Sequence, residues 1–209
     1  GDYLSAEQLA REFFVSTGTV NSWIKKKKII PTAALPFGSR NIYLFSPEDA
    51  AAIRRELNIP VHDDTTIYRD FFDFLEERDY TLSYKMPFVI SLIDNLSSIG
   101  EAEIDKVLDG YIAFYMDRLD KGLAADRAAC PYTYEYLSDR KAVKKNMLTN
   151  PFEKFERKRF MYYSKDLGKI ALNTALFNSL KSEDFKRIRN QMEEDLKEYY
   201  SGIENKGTD

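Results

Sequence analysis

The sequence predicts a mainly α protein with small β-hairpins, built as two domains. Three observations carry that expectation. Apolar residues recur three and four apart through most of the chain, the period of an amphipathic helix. Short alternating runs appear only around two turn signals, Pro36 to Arg40 and Ser164 to Gly168. The stretch Pro60 to Thr65 then reads as a linker between residues 1–59 and 66–209.

The 209 residues are 44% hydrophobic and 14% aromatic, enough for real cores and too rich for disorder. Net charge is only −3, but it is unevenly spread. Residues 1–60 carry 8 basic and 6 acidic side chains, and residues 61–138 carry 7 and 16. Residues 139–169 carry 10 basic and 4 acidic, and the remainder 6 and 8. Two basic segments flank an acidic one, which is the pattern a function must explain. The single cysteine, Cys130, excludes an intrachain disulfide and points to a reducing, cytoplasmic compartment. No long apolar run and no basic-then-apolar leader is present, so no membrane partner is expected.

In the first domain, Ser5 opens a helix with Gln8 three residues on, the spacing of a capping box. Leu9, Ala10 and Phe13 face its core. Phe14-Val15 leaves that helix, and Ser16 caps a second with Thr19 three residues later. Val20 and Ile24 form the inward stripe of this second helix, while Thr17, Asn21 and Lys25 share another face. It runs on through Lys25, Lys26, Lys27 and Lys28 and is ended by Ile29-Ile30-Pro31. A helix with small polar residues near its start and lysines at its end suits the DNA major groove. A hairpin over residues 32–45 follows, with Ser39 and Arg40 near its tip. Ser46-Pro47-Glu48-Asp49 then starts a third helix that stops at Asn58-Ile59-Pro60.

Taken together, Leu4-Ser5-x-x-x-Leu9-Ala10, Val15-Ser16-x-x-Thr19-Val20-x-x-Trp23-Ile24, Gly38-x-Arg40, Tyr43 and Glu48-Asp49 resemble the winged helix-turn-helix of the MerR and excisionase families. The resemblance covers about residues 3–58. It implies that Ser16, Thr17, Thr19, Asn21 and Ser22 approach the major groove, and that Lys25 to Lys28 and Arg40 hold phosphates. The sequence departs from the pattern in two respects. Lys27 stands where a glycine is usual in the turn after the recognition helix. Pro60 also cuts the chain where MerR regulators continue into a dimerising coiled coil, and Cys130 alone supplies no cysteine metal site. His62, the only histidine, is expected to be solvated in the linker rather than to bind zinc.

The second domain reads as helices. Ile67, Phe71, Phe74 and Leu75 trace one face, and Met86, Val89, Ile90, Ile93 and Leu96 another, with Pro87 in that helix's first turn. Ile104 to Leu119 forms a long amphipathic helix that closes at Lys121-Gly122. Residues 123–137 read as irregular. Ser138 or Asp139 caps a basic helix carrying Lys141, Lys144 and Lys145 outward, which Asn150-Pro151 breaks. Lys154, Arg157, Lys158 and Arg159 then interleave with Phe152, Phe155 and Phe160 ahead of the second hairpin. A last helix, capped by Ser182, buries Phe185, Ile188, Met192 and Leu196, and residues 201–209 fray. Helices, a basic helix, then a hairpin is again the order of a winged helix, so 139–169 is a candidate second nucleic-acid surface. Tyr84-Lys85, Phe114-Tyr115-x-Asp117-Arg118 and Asn150-Pro151-Phe152 are similar to a helical domain of helicase-like and restriction-associated proteins, a resemblance that implies no catalytic residue.

The chemistry of enzymes is sparse here. No G-x-x-x-x-G-K loop is present, and one His with one Cys leaves little for a histidine-dependent triad. Glu76-Glu77 and Glu193-Glu194 are helical neighbours whose carboxylates diverge. No cofactor and no metal are expected. The sequence points instead to a sequence-specific double-stranded DNA-binding protein, a transcription regulator or an excisionase-like architectural factor. The alternative is a protein-interaction or ligand-sensing module, addressed to DNA by its N-terminal domain within a mobile-element or defence system. The partners expected are duplex DNA and either a second copy of the chain, as a homodimer, or another protein.

Overall fold

A computed structural model describes residues 2–204. Helix takes 57% of the described residues and strand 12%, so the class is mainly α, with two three-stranded antiparallel sheets. The chain divides into two compact units, Gly1–Ile67 and Tyr68–Asp209.

In the first unit the order is β1 (Leu4–Ser5), α1 (Ala6–Phe13), α2 (Thr17–Lys25), β2 (Ala33–Phe37), β3 (Arg40–Phe45) and α3 (Pro47–Glu56). Capping residues set these boundaries. Ser5 and Gln8 form a reciprocal capping box, with the Gln8 amide donating to Ser5 Oγ over 3.2 Å and the Ser5 amide donating to Gln8 Oε1 over 2.8 Å. Ser46 Oγ accepts from the Asp49 amide at 3.1 Å, with Pro47 opening the helix. Two residues, Gly38 and Ser39, join β2 to β3, and Gly38 takes φ +59°. A positive φ at the first turn residue matches the right-handed strand twist and favours glycine. The strand β1, too short for any periodicity, pairs with β3 and completes the order β1-β3-β2. Leu9, Phe13, Val20, Ile29, Phe45 and Ile53 are buried together beneath these elements.

Two expectations change in this unit. The second helix ends at Lys25, so Lys26, Lys27 and Lys28 lie in the turn beyond it. The Lys27 amide donates to Ile24 O and the Lys28 amide to Trp23 O, the paired bonds that close a helix around a left-handed residue. His62 is not simply solvated: its ring stacks on Phe14 with centroids 4.0 Å apart. That contact ties the segment after α3 back to the end of α1.

The second unit runs α4 (Ile67–Glu76), α5 (Lys85–Asp94), β4 (Glu101–Glu103), α6 (Ile104–Asp120), α7 (Tyr134–Ser138), α8 (Arg140–Met147), a π-helical turn (Leu148–Phe152), α9 (Glu153–Arg157), β5 (Met161–Ser164), β6 (Lys169–Leu172), α10 (Thr174–Ser179) and α11 (Ser182–Glu204). Its sheet order is β4-β6-β5. Helix α5 is the centre, packed against α6 and α11. Phe88, Ser91 and Leu92 are more buried than the expected Ile90, Ile93 and Leu96, because this helix is covered on nearly every side. Gly110 of α6 lies against Ser91, where a Cβ would clash, so the two helices approach closely.

The aromatic residues form the core. Phe71 meets Phe160 edge-on at 5.2 Å, and Phe74 meets Phe155 edge-on at 5.0 Å. The cavity left among Phe71, Leu92 and Met161 is about 10 Å³, at the lower limit for one water. Buried hydroxyls are satisfied by one another: Tyr111 with Tyr132 at 2.8 Å, Tyr115 with Ser83 at 2.8 Å, and Tyr200 with Ser83 at 3.0 Å. Burial pushes the Tyr111 and Tyr115 phenols well up. Asp126 anchors this network, accepting from the Ser83 amide at 2.7 Å and from Tyr199 at 2.6 Å.

Four further expectations change here. Residues 134–138 are helical, capped by the Thr133 hydroxyl, although 123–137 reads as irregular. Pro151 does not break the basic helix. The backbone widens into the π-helical turn, which accommodates a residue with no N–H, and continues into α9. Ser182 lies inside α11 rather than capping it, and the Asp184 carboxylate accepts from the Lys181 amide at 2.8 Å. Residues 201–204 are the last turn of α11, whereas the expected fraying of 205–209 lies outside the described residues. The stripe of α11 is buried within this unit, with Gln191 Nε2 donating to Leu75 O at 3.1 Å.

Candidate nucleic-acid interface

Helix α2 owes its position to its two ends. At its start, Ser16 Oγ accepts from the Thr19 amide at 3.0 Å and lies 2.9 Å from Thr19 Oγ1. Both hydroxyls are therefore engaged locally, so among the described residues Ser16 and Thr19 build the helix start. Ser22 is half-buried. Thr17, Asn21 and Lys25 are exposed and four apart, so they share one outward face. Val20 is fully buried on the opposite side, and Trp23 and Ile24 pack against the same core.

At its end, Lys27 takes φ +56°. A helix end that closes through a left-handed residue favours glycine there, because glycine has no Cβ. The sequence places lysine in a conformation that costs a non-glycine residue about 1 kcal/mol. The reversal turns Ile29 into the core and leaves Lys26, Lys27 and Lys28 exposed. Lys28 Nζ lies 5.4 Å from the centroid of the Trp23 ring. Among the described residues, Lys25 to Lys28 have no acidic partner.

Arg40 stands at the tip of the hairpin, beside Ser39, and both are exposed. Arg40 lies opposite Phe37 in the ladder and Ile42 opposite Leu35, so all four side chains share a face. Phe37 is 72% exposed, and Leu35 and Ile42 are also open to solvent. Sequence reasoning passed over this apolar face. The alternation Leu35-x-Phe37, mirrored across a two-residue turn, is the signal that reveals it.

The second basic segment is differently built. Lys141, Lys145, Lys154, Arg157 and Arg159 are exposed, while Lys144 and Lys158 are half-buried. Arg157 is held by Glu153 through two hydrogen bonds of 2.9 and 2.7 Å. Lys158 Nζ lies 3.5 Å from Glu77, and Arg140 is 2.6 Å from Asp109. Lys141, Lys144, Lys145 and Lys154 have no ion-pair partner among the described residues. Part of the positive charge that the sequence counts here is thus neutralised in the fold. Among the described residues no group of three His, Cys, Asp or Glu side chains is placed to hold a metal ion. No described helix is long and apolar enough to cross a membrane.

The chain matches no family model, no curated protein and no solved structure.

Proposed function

We propose that the chain is a non-enzymatic, sequence-specific double-stranded DNA-binding protein whose first unit is a winged helix-turn-helix. The observation that carries this reading is the outward face of α2. Thr17, Asn21 and Lys25 are exposed in line, and three unpaired lysines follow at the helix end. In this reading α2 lies in the major groove, with Thr17 and Asn21 at base edges and Lys25 to Lys28 on phosphates. The hairpin is the wing. Arg40 meets the backbone there, and Phe37, Leu35 and Ile42 offer apolar contact to sugars and base edges. Ser16 and Thr19 contribute by fixing the helix start, and Ser22 lies half-buried on the same helix. One such unit reads few base pairs, so two copies on half-sites about 34 Å apart complete the recognition.

The test is selection from a random duplex library, followed by binding across a salt series. Five cations, Lys25 to Lys28 and Arg40, give a slope of log affinity against log salt of roughly −4 to −5. Asn21→Ala relaxes specificity at one base position by about 1–3 kcal/mol. Recovery of no consensus, together with a flat salt response, would sink the reading.

A second surface is supported by one observation: the order β4-β6-β5 repeats β1-β3-β2, with a basic helical stretch ahead of its hairpin. On this basis residues 139–169 serve as a second DNA-facing region, through Lys141, Lys144 and Lys145. Triple replacement of these by Gln tests it. A change in salt slope of about 2 to 3 supports the surface, and an unchanged slope removes it.

A further inference from the structure

Lys85 begins α5 and is only 5% exposed. Buried lysines are rare unless paired, yet this one has no carboxylate within ion-pair reach among the described residues. Its Nζ lies 4.0 Å from the centroid of the Phe74 ring and 5.5 Å from that of Tyr80, so aromatic faces are its nearest support. Burial, with Lys154 and Lys158 nearby, lowers its pKa to about 8.

Lys85 also lines a cavity of about 150 Å³, shared with Lys154, Thr81, Tyr84 and Asp79. The π-helical turn supplies another part of the wall through Asn150 and Pro151. Such turns are often kept at functional sites. The lining residues carry two ammonium groups and the Thr81 hydroxyl, which has no hydrogen-bond partner among the described residues. Asn150 Nδ2 is already used, donating to Asn146 O at 2.9 Å. Asp79 is the one acidic residue among those lining the cavity, and its charge offsets part of the cost at Lys85.

We propose that this cavity is a phosphate-binding site, in which Lys85 and Lys154 clasp one tetrahedral phosphate group and the Thr81 hydroxyl donates to it. The volume admits such a group with a few waters. A phosphate anion supplies the charge partner that Lys85 lacks, and charge-assisted bonds are the strong kind. The phosphate comes either from a small phosphate compound or from a nucleic-acid backbone, and the chemistry of capture is the same. The site belongs to the second unit alone, so it stands apart from the reading of α2.

The experiment uses the full chain with Lys25 to Lys28 and Arg40 replaced by Gln, which removes the phosphate contacts proposed for the first unit. Thermal unfolding is followed at pH 7 against inorganic phosphate, and separately against a short duplex, with sodium chloride at matched ionic strength as reference. The expected result is a saturable rise in Tm beyond the chloride reference. The apparent affinity weakens by about tenfold in Lys154→Gln. Lys85→Met raises the starting Tm and abolishes the phosphate increment. NMR of labelled lysine adds a direct reading, since the Lys85 titration moves to higher pH when phosphate binds. A response to inorganic phosphate identifies a small-phosphate site, and a response to the duplex alone identifies a backbone site. A response no larger than that to chloride, or one that survives both substitutions, overturns the proposal.

Discussion

The two units place the same kind of strand in the same order and put their charge to different use. In each, a short strand ahead of a helix pairs with the far strand of a later hairpin. The first unit has a small core, and Lys25 to Lys28 lie in the open with no acidic ion-pair partner among the described residues. The second has an aromatic core, and its basic stretch is partly spent on Glu153 and Glu77, while Lys85 is pulled inside. Positive charge counted along a sequence is therefore a poor guide to positive charge available to a partner. What decides it is whether an acid reaches the cation, at spacing i,i+4 or across the fold.

The contrast breaks first at the core. Phe155 is fully buried between Phe74, Phe71 and Phe88. Phe155→Ala is expected to destabilise the second unit by about 3–5 kcal/mol. Calorimetry checks this, and DNA binding through α2 should survive at temperatures below the lowered transition. Loss of binding while the protein is still folded would show that the second unit carries the DNA contact.

A slightly smaller effect separates the two basic segments. Replacing Lys25 to Lys28 with Gln is expected to weaken duplex binding by about 100-fold or more at 0.15 M salt and to flatten the salt slope by about 3 to 4. Equal losses from Lys141, Lys144 and Lys145 would erase the distinction drawn between the segments.

The third effect reads Lys85 through pH. Its folded pKa, about 8, lies below the unfolded value of roughly 10.4, so the unfolded chain binds the proton more tightly. The cost of burying the charge is present in full below pH 8 and fades as pH rises towards the unfolded pKa. Stability is expected to increase by about 2 kcal/mol between pH 7 and 10. Lys154 and Lys158 add to the cost, and Glu77 and Asp79 offset part of it. Above pH 10 the buried tyrosines act in the opposite sense, since their raised pKa values favour ionisation in the unfolded chain. Denaturant titrations at several pH values check this, and Lys85→Met should remove the rise.

The smallest effect tests the turn after α2. Lys27→Gly relieves the left-handed conformation and is expected to stabilise the first unit by about 0.5–1 kcal/mol. The same change removes one of the proposed phosphate contacts, so the salt slope is expected to become shallower by about 0.9. Stability and affinity moving in opposite directions is the outcome that assigns both roles to this residue.

Much of the first unit can be read locally. Ser5, Ser16 and Ser46 cap three helices through side chains that act within three residues, and Gly38 marks its turn by the same short reach. The outward line of Thr17, Asn21 and Lys25 needs only the helical period. The two-residue β1 and three-residue β4 cannot be read this way, because strands so short have no period of their own. They exist because β3 and β6 each present a free edge to them. The exposed face around Phe37 was open to reading from alternation, whereas the stacking of His62 on Phe14 required the chain to fold back.

By itself, the sequence determined most of the helices, the caps at Ser5, Ser16 and Ser46, both hairpins and the sites of the two basic segments. Those features depend on interactions spanning a few residues, whose geometry the chain fixes wherever it lies. The tertiary structure alone decided which charges remain available, that α5 is covered on nearly all sides, and that Pro151 is carried by a π-helical turn. It also decided that Lys85 lies inside rather than in water. The burial of α5 and Lys85 and the pairing of Lys158 with Glu77 follow from neighbours distant in sequence, because burial and long-range ion pairing are set by what packs alongside a residue.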